Sequence, residues 1–137
     1  MQVTSYRDLR VWQEGMNLVE TIYQLTATFP KHEIYGLAGQ LQRAAVSVPA
    51  NIAEGRTREH TKEFYRHISI ARSSLAEVET QLEIAQRLGY IPLSVFEQVL
   101  EEMTVLGRQL TALRDSLQRR LNAQTPAPSP EPLAPDS

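Results

Sequence analysis

The sequence predicts an all-α fold, an antiparallel up-down-up-down four-helix bundle, and three observations lead to it. Apolar residues recur at alternating steps of three and four along three long segments, the rhythm of one helix face. That rhythm is broken at only three places: Phe29-Pro30, Gly55 to Thr61, and Gly89 to Ser94. No run alternates polar and apolar residues as a half-buried strand does. Four segments result, roughly 7–28, 32–54, 61–88 and 94–121, and connections of about 3–6 residues favour antiparallel neighbours. At 137 residues the chain is about one domain, large enough to build a core without a disulfide or metal.

The first segment carries two seams. Val11, Gly15, Leu18, Ile22, Leu25 and Phe29 form one, and Leu9, Trp12, Met16, Val19 and Tyr23 the other. A bundle helix needs only one, so the second face is expected to meet another copy of the chain, with Trp12 as the assembly contact. In the second segment Ile34, Ala38, Leu41, Ala45, Val48 and Ile52 form the stripe. Pro49 lies inside this helix, where its ring removes a hydrogen bond and leaves the Ala45 carbonyl in need of a donor. Opposite the stripe, Gln40, Arg43, Ser47, Asn51 and Glu54 share one face. They read as a solvated face that mends the proline site, as a polar ladder pairing across a helix or subunit contact, or, least of all, as a catalytic face. The third stripe is Phe64, Ile68, Ala71, Leu75, Val78, Leu82 and Ala85; the fourth is Phe96, Val99, Met103, Leu106, Leu110, Leu113 and Leu117. Gly55 and Gly89 stand where glycines end helices, Thr61 with Glu63 reads as a cap and first-turn carboxylate, and Ser94 with Glu97 as a capping box. Residues 122–137 hold five of the eight prolines and one large apolar side chain, Leu133, so they read as a disordered tail beyond a 1–121 bundle.

Several function classes are excluded by what is missing. There is no cysteine, hence no disulfide scaffold, zinc ribbon, iron–sulfur cluster or thiol nucleophile. No glutamate is followed three residues later by histidine, the pair that builds di-iron sites in bundles. Phosphate-cradling GxxxxGK[ST] and GxGxxG motifs are absent, as is GxSxG. Glu59, Glu63 and His67 share a helical face but read as a solvated strip. No catalytic residue, cofactor, metal or small-molecule substrate is therefore expected. The opening MQVTSYRDLR has no apolar signal region and no segment reaches a membrane span, so a cytoplasmic protein is expected.

Glu131 and Asp136 account for the net charge of −2, so residues 1–121 balance. The balance is uneven. Residues 43–72 set six cations against three carboxylates, residues 77–102 six glutamates against Arg87, and residues 108–120 four arginines against Asp115. A basic rim is expected around the second connection and the end of the fourth helix. Its phosphate-binding candidates are Arg56, Arg58, Lys62 and Arg66.

The segments RDLRVW (7–12), IYQLTATFP (22–30), EIYGLAGQL (33–41), SVPANIAEG (47–55), KEFYRHISIA (62–71), SLAEVETQL (74–82) and LGYIP (88–92) together resemble a known family. It is the family of four-helix-bundle proteins related to the 23S ribosomal RNA intervening-sequence protein, and NIAEG is the most specific element. The resemblance implies a left-handed bundle, homopentameric assembly and no enzymatic activity. One branch is similar to accessory proteins of diversity-generating retroelements, which bind nucleic acid and assist a reverse transcriptase. The expected function is thus non-enzymatic association with RNA or a ribonucleoprotein. The alternatives are a pure protein-interaction scaffold and a reverse-transcriptase accessory factor.

Because the proline-rich end buries almost no apolar area, deleting residues 122–137 should leave the thermal midpoint and the oligomeric state unchanged. A drop of several degrees in a melting scan would show that the segment docks.

Overall fold

The described part of the chain, residues 5–124 of a computed structural model, is helical throughout and contains no strand. A 3₁₀ turn at Tyr6–Asp8 leads into α1 (Arg10–Thr26), and a second at Lys31–Glu33 precedes α2 (Leu37–Thr57). They are followed by α3 (Thr61–Arg87) and α4 (Leu93–Gln124). The expected stripes form the core, which is consistent with a four-helix bundle. Ile22, Leu41, Val48, Ile52, Ile68, Val78, Leu82, Met103, Leu110 and Leu117 are almost completely buried, and every helix contributes. Burying a side chain of this size is worth roughly 1.5–3 kcal/mol, so this one cluster is the main reason the helices stay together.

Residue pairs fix how neighbours lie. Gln42 on α2 donates to the Thr26 hydroxyl at the end of α1 (3.0 Å), while Gly15 lies against Pro49. Ser47 meets Ser74 (2.8 Å) and Asn51 meets His67 (3.0 Å) between α2 and α3. Arg72 donates to Thr111 (3.0 Å) between α3 and α4.

Helix ends differ from the sequence expectation in informative ways. Gly55 does not end α2, which runs on to Thr57. The residue past the cap that turns left-handed is Glu59, at φ 64°. Gly55 is instead buried against α3: a Cβ there would sit 2.6 Å from His67 Cβ and 3.2 Å from Phe64 Cδ1. Its role is close approach. Gly89 does terminate α3, at φ 80°, with Tyr90 N–H donating to the Ala85 carbonyl and Gly89 N–H to Gln86, each at 2.9 Å. Thr61 is the first helical residue of α3 and His60 the cap, which makes no side-chain hydrogen bond to the helix start. Likewise α4 starts at Leu93, one residue before Ser94, and the Pro92 carbonyl accepts from Phe96 N–H, so no capping box forms there. Ile34, expected in the second stripe, precedes α2 and is exposed, and Gly36 caps α2 rather than lying inside it.

α2 continues unbroken through Pro49, whose ring is buried against α1. The Asn51 amide donates to the Ser47 carbonyl (2.8 Å), not to the Ala45 carbonyl that the proline deprives. At the far end α4 extends through Gln124, so three residues assigned to the tail are helical. The rest of the tail, residues 125–137, lies outside the described residues.

Substituting Gly55→Ala should cost about 1–3 kcal/mol, the usual range for overpacking, because the nearest obstacle is the root of a helix-borne side chain. Denaturant unfolding measures it. A loss below about 0.5 kcal/mol would mean that α2 and α3 separate freely at this point.

Candidate functional site

The basic segments come together at one end of the molecule. α2 ends, α3 begins and the last turns of α4 pass alongside, with Gln124 reaching Thr61 at 3.5 Å. A cleft of about 570 Å³ opens between them. Arg56, His60 and Arg120 line it together with Glu59, and Phe64, Leu113 and Leu117 supply the apolar wall. The expected rim of the second connection and the end of the fourth helix is therefore one continuous feature.

The four phosphate-binding candidates occupy unequal places there. Arg56 is half-buried and lines the cleft. Lys62 is exposed on the first turn of α3. Arg58 pairs with Glu54 (3.0 Å) and Arg66 with Glu63 (3.5 Å), both on their own helices and in the open. Exposed pairs of this kind are worth a few tenths of a kcal/mol, so both arginines can exchange partners.

Of the face made by Gln40, Arg43, Ser47, Asn51 and Glu54, two members pair across helices. The Ser47 and Ser74 hydroxyls share a hydrogen bond, the Asn51 amide donates to Ser47 Oγ (3.0 Å), and Asn51 Oδ1 meets His67 Nδ1. This makes a continuous polar seam between α2 and α3. Gln40 and Arg43 stand further along, at the edge of a shallow groove with Ser74, Glu77 and Gln81. Glu54 belongs to the Arg58 ion pair instead.

His67 was not legible as part of this seam. It reads as solvated from the sequence, yet it is 5% exposed, and its Nε2 is buried without a partner. The available signal was its place in a flank of α3 made by His67, Ala71, Ser74 and Val78, all of them buried.

At the opposite end, family-like segments clasp the two other connections. Glu33 accepts a hydrogen bond from Leu37 N–H (3.1 Å), capping α2, and another from the Tyr90 hydroxyl (2.8 Å). Phe29 packs on the Tyr90 ring at 5.3 Å. The Tyr90 hydroxyl, the α2 amide and nearby His32 hold the Glu33 carboxyl below its usual value of 4.5, against a smaller opposing effect of desolvation. The same bond raises the Tyr90 hydroxyl above its usual value.

Trp12, the expected assembly contact, is half-buried within its own chain. It makes an edge-on contact with Tyr6 (5.3 Å), and the Arg7 guanidinium lies over both rings. Further along α1, Met16 and Tyr23 remain 42% and 48% exposed. Among the described residues no group of three or more His, Asp or Glu side chains is placed to hold a metal ion, and no helix is long and apolar enough to cross a membrane.

Against this geometry the comparisons are specific. The family described as 23S rRNA-intervening sequence protein matches residues 7–112, most of the described helices. The chain belongs to that family. A solved structure from Bacteroides thetaiotaomicron VPI-5482, a protein of unknown function from the S23 ribosomal protein family, superposes with a TM-score of 0.71. It is 22% identical, and the match covers 76% of this chain and 97% of that one, so the two chains share a fold. No curated protein matches. The family match includes the clasp, the polar seam and Arg56 to Arg66, and stops short of Arg120.

The clasp gives a pH dependence with a definite sign. Glu33 is held below its unfolded value, so its stabilisation is fully present above about 4.5 and is lost as pH falls through the lowered folded value. Tyr90→Phe should therefore flatten the acid limb of a plot of melting temperature against pH, with little change in its shape from pH ~6 to ~8. An unchanged acid limb would place the sensitive carboxylate elsewhere.

Proposed function

We propose that this chain is a non-enzymatic, homo-oligomeric helical bundle that associates with RNA or a ribonucleoprotein through its basic end. The observation that carries the reading is the gathering of Arg56, Arg120 and His60 on one cleft, while Lys62 and Arg66 line a separate groove on the first turns of α3. Backbone phosphates suit such a surface, because arginine forks pair with two oxygens at once. The residues gathered there include no activated nucleophile or metal set, so the reading involves neither catalysis nor a cofactor, and it places the protein in the cytoplasm.

The architecture proposed with it is an up-down-up-down antiparallel bundle. Support comes from the order of the contacts: Gly15 with Pro49 then Thr26 with Gln42, and Ser47 with Ser74 then Asn51 with His67. Assembly is supported by the surplus face of α1. Helical periodicity sets Met16 and Tyr23 on the flank of α1 that borders α2, where Val46 is also exposed. Tyr35, 95% exposed in the connection between these helices, extends the apolar surface. The copy number of five rests on the family resemblance. One subunit offers about 3–4 phosphate contacts, which gives weak binding, and a ring adds them.

The test is a salt titration of binding to a single-stranded RNA, alongside light scattering. Affinity should fall steeply with salt and show little sequence preference, since the described residues form no aromatic sheet to read bases. The Arg56→Ala/Lys62→Ala variant should bind more weakly with a salt slope shallower by about 2, and scattering should give the mass of a pentamer. Equal binding by the variant, or a slope near zero, rejects this surface, and a monomer at micromolar concentration rejects the ring. Absence of RNA binding even at ~50 mM salt favours a second reading, a protein-interaction scaffold or reverse-transcriptase partner. The exposed α1–α2 face and the ion-paired rim speak for that reading.

A further inference from the structure

We propose that the end cleft is a pocket for a phosphate-terminated nucleotide, so that the protein holds the phosphomonoester end of an RNA strand; this deepens the RNA reading and rests on it. Three features of the cleft select such a ligand over the backbone of a continuous strand. The first is size and shape. At about 570 Å³ the cleft falls within the ~300–1,000 Å³ range of small-molecule pockets, and Phe64, Leu113 and Leu117 close one side of it.

The second feature is charge. Arg56 and Arg120 approach from different helices, the end of α2 and the end of α4. Two guanidinium groups match a monoester, which carries about −1.5 to −2 charges, better than a diester carrying a single charge. The cleft also adjoins the start of α3, where the cap residue His60 makes no side-chain hydrogen bond to the first-turn N–H groups.

The third feature is the mixture of partners around those cations. Phe64 is half-buried and lines the cleft, offering part of an aromatic ring to a base. Glu59 contributes a carboxylate acceptor at the rim. A carboxylate repels bare phosphate but accepts a hydrogen bond from a ribose hydroxyl. The pocket should therefore favour the whole nucleotide over either of its parts.

The full-length protein is titrated calorimetrically with adenosine 5′-monophosphate, adenosine 3′-monophosphate, adenosine and inorganic phosphate. At least one monophosphate should bind about tenfold or more tighter than adenosine and than phosphate. Arg120→Gln changes an exposed side chain and should weaken that binding about tenfold while leaving the melting temperature in place. In a second arm, a 12-nucleotide RNA bearing a terminal phosphate should outcompete the same RNA without one, and Arg120→Gln should abolish the difference. Equal binding of adenosine and both monophosphates, no binding of any of them at millimolar concentration, or an unaffected Arg120→Gln variant overturns the pocket. If both RNAs bind equally and the monophosphates do not, the pocket fails while the RNA reading stands. If a monophosphate binds and neither RNA does, the pocket stands as a nucleotide site and the RNA reading fails.

Discussion

The approach of α2 to α3 is the constraint on which the rest of the molecule depends. Gly55 leaves no room for a Cβ, and the backbone of α2 rests against His67 and Phe64. One turn earlier Asn51 meets the His67 ring, and Ser47 meets Ser74 two turns earlier. These contacts set both distance and register, since polar partners in a dry interface must find each other or lose about 1–3 kcal/mol per unsatisfied group. Leucine-like side chains slide past one another at small cost; this seam does not. Because α2 stays in contact to its last turn, the chain reverses within three residues, and Glu59 takes the left-handed conformation that a glycine would normally supply. Arg56, His60 and Phe64 are then delivered to the same cleft.

The opposite end is organised by different chemistry. Glu33, Tyr90 and Phe29 belong to the two connections that the polar seam does not reach, and they lock those connections together. The division is matched by charge. Most of the glutamates of residues 77–102 lie towards the clasp, while Arg56 to Arg66 and Arg114 to Arg120 lie towards the end that holds the cleft. The molecule is therefore electrically polar along its helices although the sum over its first 121 residues is zero. Net charge alone would have concealed a cationic end.

What the sequence made legible follows from periodicity. The stripes from Phe64 to Ala85 and from Phe96 to Leu117 are read directly, because a bundle helix must bury every third or fourth residue. Gly89 was readable too, as a glycine just past a helix in a connection. Gly55 and His67 were not. A glycine near the end of a helical run looks the same whether it ends the helix or lets another helix touch it, and only the partner distinguishes the two. His67 and Ser74 were obscured for a related reason: polar residues on a flank look solvated until a serine and an asparagine are found opposite them. Within the candidate site, the arginines were visible as charge, but the cleft was not, since Leu113, Leu117 and Arg120 are more than fifty residues from Arg56.

Polarity and the surplus face of α1 bear on each other through symmetry. A contact between the exposed α1–α2 flank of one copy and a different surface of the next is heterologous, and it closes into a ring when the rotation per subunit divides the circle. Cyclic symmetry points every subunit the same way along the axis. In a ring whose helices run along that axis, all basic ends then lie on one rim and all clasp ends on the other. Fields that cancel within one chain add around such a rim, and end clefts repeat at fixed spacing. A dihedral arrangement of the same subunits would instead divide the cationic ends between two faces. The polar charge distribution thus becomes useful for binding an extended anion only with the type of symmetry that a head-to-tail contact provides.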